Sequence, residues 1–202
     1  MKMFYTILIL FFPIACSQSP GDPKEIKVTN KQNIQMEIFN IKKFNANKDE
    51  SNTYVFDRED GAKVSQFGDS INGYFEYARM PTKLFEERKG YYPEGMLKVH
   101  GLMYYNQFPK GIWKYYDPNG KTDREVDYDE PYTYGWEDFL EFCKQKKINL
   151  LDSNTIVSRN IEDGHPKWIL EWQIGTAESL EITLDGKSGE IIDQKKIKLD
   201  KG

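Results

Sequence analysis

Few side chains in this sequence have the type and spacing that catalysis requires. Its two histidines, His100 and His165, are far apart, and neither has another metal-binding residue type at the short spacing of a zinc site. His165 lies in an Asp-Gly-His-Pro stretch that predicts a turn, and His100 lies among aromatic residues that predict a strand. We therefore expect neither to be a catalytic base or a metal ligand.

The carboxylates do not form an acid/base pair either. Adjacent acids such as Glu86 and Glu87 would point to opposite faces of a strand, or diverge by about 100° on a helix. The acidic run at 123–130 is open to two interpretations, a solvated sheet edge or a face for a calcium ion or a basic partner. Nucleophile elbows and phosphate-binding glycine loops are absent from the sequence. We expect no enzyme activity and no metal or cofactor.

Composition indicates a folded secreted body rather than a nucleic-acid-binding protein. The formal net charge is -4, whereas nucleic acid requires a basic face. The chain has two cysteines, Cys16 and Cys143. If Cys16 is modified, Cys143 has no intramolecular partner for a disulfide, and we expect it to lie in the core.

The N-terminus predicts export. Lys2 precedes an apolar run at 3–14 that is too short to span a bilayer, and Ala15 stands directly before Cys16. This arrangement resembles the lipobox of bacterial lipoproteins, although Pro13 stands where that motif usually has leucine. The resemblance implies a signal peptide at 1–15 and a lipid such as palmitate on Cys16. A cleaved secretory peptide or an uncleaved anchor would also place the remaining chain outside the cytoplasm.

Residues 16–32 begin with a Ser-, Gly- and Pro-rich stretch that predicts a flexible tether. No aspartate follows Cys16, which in a two-membrane bacterium favours transfer to the outer membrane, facing the periplasm. From 26 to 44 the near-alternation of apolar residues predicts an early strand, and 45–52 reads as a loop. Strands at 53–56 and 62–67, joined through an Asp-Gly pair, predict a hairpin.

The middle of the chain contains an internal repeat. Residues 73–77 align with 111–115, each a glycine followed by a short aromatic strand, and 91–95 aligns with the turn at 115–120. The unit at 111–121 resembles bacterial MORN-repeat-variant proteins. That resemblance implies a single-layer ribbon of β-hairpins, which we assign to residues 33–130.

The last third predicts an α+β module at residues 131–202. Apolar residues at helical spacing, with acids early and lysines late, predict a helix at 135–147. Alternating strands with Gly-containing turns follow, and Trp168 and Trp172 fall on one face, which we expect the helix to cover with Trp172 in the core. Residues 184–192 resemble a PepSY-type module. The fold class is mainly β with one main helix, which packs on a three- to four-stranded antiparallel sheet.

The aromatics of the repeat exceed what one side of a thin ribbon can bury, so some should be exposed for partner binding. Alternatively, all of them pack the repeats together. Alternation groups Trp113 with Tyr115 and separates both from Tyr116; we place Tyr104 and Tyr116 on the exposed face and Trp113 inside, although the opposite assignment fits the same pattern. The candidate partner-binding residues are Tyr91, Tyr92, Tyr104, Tyr105, Trp113, Tyr115 and Tyr116.

These observations favour a non-catalytic, lipid-anchored envelope protein that binds a protein partner and no nucleic acid. Two alternatives remain. An immunity or antitoxin protein that neutralises a toxin is implied by the MORN-variant resemblance, and an envelope enzyme is disfavoured by the residue inventory.

Replacing Cys16 with Ser is expected to release the protein from the membrane, because the thiol is the predicted site of lipid attachment. Fractionation of cells that produce either form measures this. A Cys16→Ser protein that remains in the membrane pellet as firmly as the wild type would contradict the lipoprotein interpretation.

Overall fold

The computed structural model describes residues 25–26, 37–105 and 107–199. These residues are mainly β, with 51% strand and 10% helix, and they form two antiparallel sheets, which confirms the α+β class. The predicted signal peptide, Cys16 and most of the predicted tether lie outside the described residues. No helix in the described ranges is long and apolar enough to cross a membrane.

The large sheet is an antiparallel meander of seven consecutive strands, with a two-residue strand β1 added beside β8. Its strands are β1 (Glu25–Ile26), β2 (Thr53–Asp57), β3 (Lys63–Asp69), β4 (Gly73–Arg79), β5 (Phe85–Tyr91), β6 (Leu97–Tyr104), β7 (Phe108–Tyr116) and β8 (Thr122–Asp127). The hairpin of β2 and β3 and the strands around the internal repeat are as predicted. Each follows from a local turn signal and an alternating strand.

Two predictions for the N-terminal region are corrected. Residues 41–44, predicted as the end of a strand, begin helix α1 (Ile41–Asn47), where the Asn40 side chain accepts a hydrogen bond from the Lys43 backbone N–H. The helix also extends into the predicted loop. Within the predicted tether, Glu25–Ile26 pairs with β8 and covers an otherwise open strand edge.

The C-terminal part is a helix packed on a four-stranded antiparallel sheet. The helix is α2 (Trp136–Gln145), and the strands are β9 (Ile156–Glu162), β10 (His165–Gln173), β11 (Glu178–Asp185) and β12 (Ile191–Lys198). The sheet order is β12-β11-β10-β9. Trp136, Phe139 and Cys143 form the buried face of α2, as their helical spacing predicts.

One aromatic core joins the two sheets across the predicted boundary at residue 131. Tyr104 and Phe108 from the large sheet pack in the same buried cluster as Trp136 and Trp168. The Trp168 ring stacks on Phe139 with centroids 4.8 Å apart and is fully buried. Neither sheet could bury these aromatic surfaces alone.

Arg159 on β9 links the two sheets electrostatically. Its guanidinium lies 2.7 Å from the Asp129 carboxylate, donates to the Pro109 carbonyl and stacks on the Phe108 ring. Burial alone would raise the pKa of Asp129, but Arg159 and the hydrogen bonds around the carboxylate lower it below its ordinary value. A side chain from the small sheet therefore holds the end of the large sheet in place.

Two core predictions have different outcomes. Cys143 is buried as expected, and burial raises the pKa of its thiol to about 12, so the thiol is protonated at neutral pH. Trp172 was expected to be a full core residue, but it is only partly buried at the edge of the cluster, and Trp168 occupies the centre.

Trp168→Ala is expected to lower the free energy of unfolding by about 3–5 kcal/mol, because it removes a fully enclosed indole. Trp172→Ala should cost clearly less. Urea unfolding of the two variants measures both losses. A loss at Trp172 equal to or greater than that at Trp168 would contradict this arrangement of the core.

Candidate functional site

The two faces of the large sheet differ in what covers them. We call the face that carries Tyr74, Tyr91, Tyr104 and Phe108 the inner face, because these residues are buried. The opposite face is the outer face. Its main side chains, assigned from strand register, are Phe67, Phe75, Tyr77, Arg79, Arg88, Val99, Trp113, Tyr115 and Arg124.

The inner face is covered at both ends. At one end, Phe39 and Phe44 from the α1 segment pack on Tyr74 and Tyr91, and the rings of Phe39 and Tyr74 stack at 4.7 Å. At the other end, Phe85 and its neighbours pack on α2 and the small sheet. Neither of the two buried clusters takes a residue from the outer face in the described part of the chain.

Between these covered ends, a row of polar side chains crosses the inner face from strand to strand. Lys89 lies 2.8 Å from Glu37, and the Tyr91 hydroxyl donates to the same Glu37 oxygen at 2.8 Å. His100 Nε2 lies 3.1 Å from the Tyr116 hydroxyl. The row, in register order, is Gln66, Glu76, Lys89, His100, Lys114 and Glu125.

The charges in this row are engaged with one another. Burial alone would lower the pKa of Lys89, but its bond to Glu37 and the nearby carboxylates raise it above the ordinary value. Burial lowers the pKa of His100, and the charge of Lys114 lowers it further, so its imidazole is neutral at pH 7. Cross-strand pairing of this kind stabilises a sheet. Stabilisation of the sheet therefore accounts for the presence of these polar residues.

The aromatic rings of the outer face pack on one another rather than under another element. Phe67 stacks on Phe75 with centroids 5.2 Å apart and meets Tyr77 edge-on at 5.0 Å. Further along the sheet, the Tyr115 hydroxyl lies 3.3 Å from that of Tyr128. Phe75 remains 36% exposed. These rings form a broad, partly exposed surface of the kind that protein interfaces use.

The internal repeat builds this surface twice. In the alignment of 73–77 with 111–115, Phe75 is equivalent to Trp113 and Tyr77 is equivalent to Tyr115. All four residues lie on the outer face. Each tyrosine also has an arginine as its cross-strand neighbour: Tyr77 pairs with Arg88, and Tyr115 pairs with Arg124. The guanidinium carbons lie 4.3 and 4.2 Å from the ring centroids. The two hairpins thus present equivalent tyrosine–arginine pairs.

Gly101 allows Trp113 to lie flat on the sheet. A Cβ atom at Gly101 would stand 2.4 Å from indole carbons of Trp113, so only glycine fits beneath the ring. The Trp113 Nε1 donates to the Leu102 carbonyl at 3.0 Å. This fixes the ring parallel to the outer face and makes it part of the surface.

The predicted partner-binding residues are distributed over several locations. Trp113 and Tyr115 lie together on the outer face, as alternation predicts, while Tyr92 and Tyr105 lie at turns, half-buried. Buried residues make up the remainder: Tyr91, Tyr104 and Tyr116.

The assignment of Tyr104 and Tyr116 to the exposed face, with Trp113 inside, is therefore wrong. Alternation does not reveal which face a later module covers, and α2 with its sheet covers the Tyr104 side. Phe75, Tyr77 and Arg124 were not among the predicted residues. The repeat alignment contained the signal for Phe75 and Tyr77, because these residues are equivalent to Trp113 and Tyr115 in it.

A pocket of about 350 Å³ lies where the large sheet meets the loop after α2, between Arg79 and Tyr105 on one side and Leu150 and Asp152 on the other. The nearby Tyr104 hydroxyl makes no hydrogen bond within the described residues and is shielded from solvent. In the same part of the chain, no three His, Cys, Asp or Glu side chains are grouped to hold a metal ion. The pocket presents no set of converging catalytic groups.

Comparison with known proteins gives no match: no family model, curated protein or solved structure matches this chain.

Gly101→Ala is expected to lower the free energy of unfolding by about 1–3 kcal/mol, because the added methyl group displaces the Trp113 ring. Gly175→Ala is the matched control, since a Cβ atom there meets nothing within 4 Å. Thermal and urea unfolding measure both effects. Equal stability of the two variants would show that Trp113 does not lie over Gly101.

Proposed function

We propose that this chain is a non-catalytic, lipid-anchored envelope protein that binds a protein partner through the outer face of its large sheet. The observation that carries the proposal is the uncovered aromatic surface formed by Phe75, Tyr77, Trp113 and Tyr115. Aromatic side chains supply a large contact area at a small entropic cost, because their ring positions are already fixed. The opposite face cannot serve in the same way where its aromatic ends are buried.

The envelope location rests on the sequence of the first sixteen residues. An apolar run followed by Ala15 and Cys16 supports export and lipidation. A lipid anchor would hold the folded body near a membrane, where it could meet membrane-bound or secreted proteins. Facing the periplasm from the outer membrane is the placement that the residues after Cys16 favour.

The resemblances noted in the sequence supply the finer fold proposal. We infer that the large sheet is a MORN-variant ribbon and that the C-terminal part is a PepSY-like module. Equivalent placement of the two repeat units on one face supports the first, and a helix followed by a tryptophan-bearing strand supports the second. Both kinds of module fit a binding role.

Site-specific photocrosslinking in cells of the source organism tests the proposal. The crosslinking residue p-benzoylphenylalanine would replace Phe75 or Tyr115 on the outer face. We expect each position to give a discrete protein adduct of the same mass, because both rings lie on the same proposed contact surface. Mass spectrometry of the adduct would identify the partner, and a toxin there would make this an immunity protein.

The control positions are Leu102 and Ile112, which are apolar and exposed on the inner face, at 44% and 46%. The same crosslinker at these positions should not give the adduct. The proposal fails if the outer-face positions give no adduct, or if both faces give the same one.

A further inference from the structure

We propose that the outer face binds an acidic segment of its protein partner, with partner carboxylates placed against Arg79 and Arg124. This inference rests on the proposed function, because it names the chemistry of the partner at the same surface. It differs from what the overall net charge of -4 suggests, which is a basic partner. The charge on the contact surface, rather than the total charge, determines which partner fits.

Two guanidinium groups on this face have no carboxylate partner. Arg124 stacks on Tyr115 at 4.2 Å, and Arg79 stacks at the same distance on Tyr105, at the edge of the sheet where both residues line the pocket beside the loop after α2. Neither arginine forms an ion pair within the described residues. Arg88, by contrast, is paired with Glu86 at 2.5 Å. Stacking on a ring fixes the plane of a guanidinium while its N–H edges stay available for a planar carboxylate.

On strands β4–β8, the two faces of the sheet differ in charge. The inner face carries the carboxylates of Glu37, Glu76, Glu87 and Glu125 around the ammonium groups of Lys89 and Lys114. On strands β4–β8, the outer face carries three guanidinium groups, and the Glu86 carboxylate there is already bound to one of them. On these strands the outer face has a net positive charge, whereas the inner-face charges pair with one another, so an acidic segment is attracted to the outer face.

The spacing of the arginines defines what the segment must supply. Arg79 lies on β4 and Arg124 on β8, four strands apart, or roughly 19 Å across the sheet at the usual strand separation. Register also places Arg124 level with Phe75, four residues along β4 from Arg79, so the two arginine Cα atoms are roughly 23 Å apart. Between them lie the rings of Tyr115 and Trp113, the second of which lies over Gly101, and the Arg88–Glu86 ion pair. A segment with acidic residues near both ends and apolar residues between them matches this order. An extended chain of about seven residues spans the distance.

Selection of peptides from a random library on the immobilised full chain tests this proposal. We expect the selected peptides to be rich in Asp and Glu, and their affinity to fall as salt rises from about 0.05 to 0.5 M. Synthetic copies are then the probes. Their affinity for Arg79→Gln/Arg124→Gln should fall by at least about tenfold per arginine, because each loses a charge-assisted contact.

The control variant, Lys144→Gln/Lys195→Gln, removes the same charge from exposed positions on α2 and β12 and should bind like the wild type. Melting curves check that each variant is folded. The selected peptides could lack acidic enrichment and still lose affinity when Phe75 and Tyr115 are replaced. That result would overturn the acidic partner and leave the proposed function standing. Peptides whose affinity is unchanged by substitution of Phe75 and Tyr115 and by substitution of Arg79 and Arg124 would count against both the acidic partner and the proposed function. Recovery of no binding peptides would count against both as well.

Anionic vesicles and single-stranded DNA serve as competing probes. Arginine-dependent binding of phosphatidylglycerol vesicles or of DNA, without binding of acidic peptides, would overturn the proposal in favour of a different anionic ligand. Binding of acidic peptides alone supports a protein partner.

Discussion

The aromatic cluster around Trp168 determines which face of the large sheet is available. Trp168 packs on Phe139 and Phe108, its Nε1 donates to the Tyr134 carbonyl at 2.9 Å, and Arg159 stacks nearby. These contacts attach the C-terminal helix and small sheet to the inner face. Because they cover one face, the other face keeps its aromatic rings partly exposed. If this junction were lost, the inner face would stay covered only at its other end, by Phe39 and Phe44.

The surface that remains open is a product of the internal repeat. Each of two hairpins places an aromatic residue and a tyrosine on the outer face, and each tyrosine stacks with the arginine that register puts beside it. The glycines of the repeat have a matching role, since Gly101 provides the space in which the Trp113 ring lies. A motif that stabilises a thin sheet has therefore also produced an ordered row of rings and guanidinium groups.

Sequence reasoning recovered the elements that depend on local signals and missed those that depend on distant contacts. The α2 helix, the hairpins and the C-terminal strands followed from periodicity and turns. The N-terminal helix was missed because the alternation of Met36 and Ile38 was extended through Ile41 and Phe44, whose i, i+3 spacing fits a helix instead. The exposed face could not be chosen, because alternation treats both faces equally. The pairing of Arg124 with Tyr115 required the strand register.

Oxidative footprinting by hydroxyl radicals tests most directly whether the outer face is the contact surface. Labelling of the purified chain would be compared with labelling in cells of the source organism. The account predicts that Phe75, Trp113 and Tyr115 are labelled in the purified protein and protected in cells, while Leu102 and Ile112 are labelled in both. Equal labelling of the outer face in the two settings, or protection confined to the inner face, would contradict it.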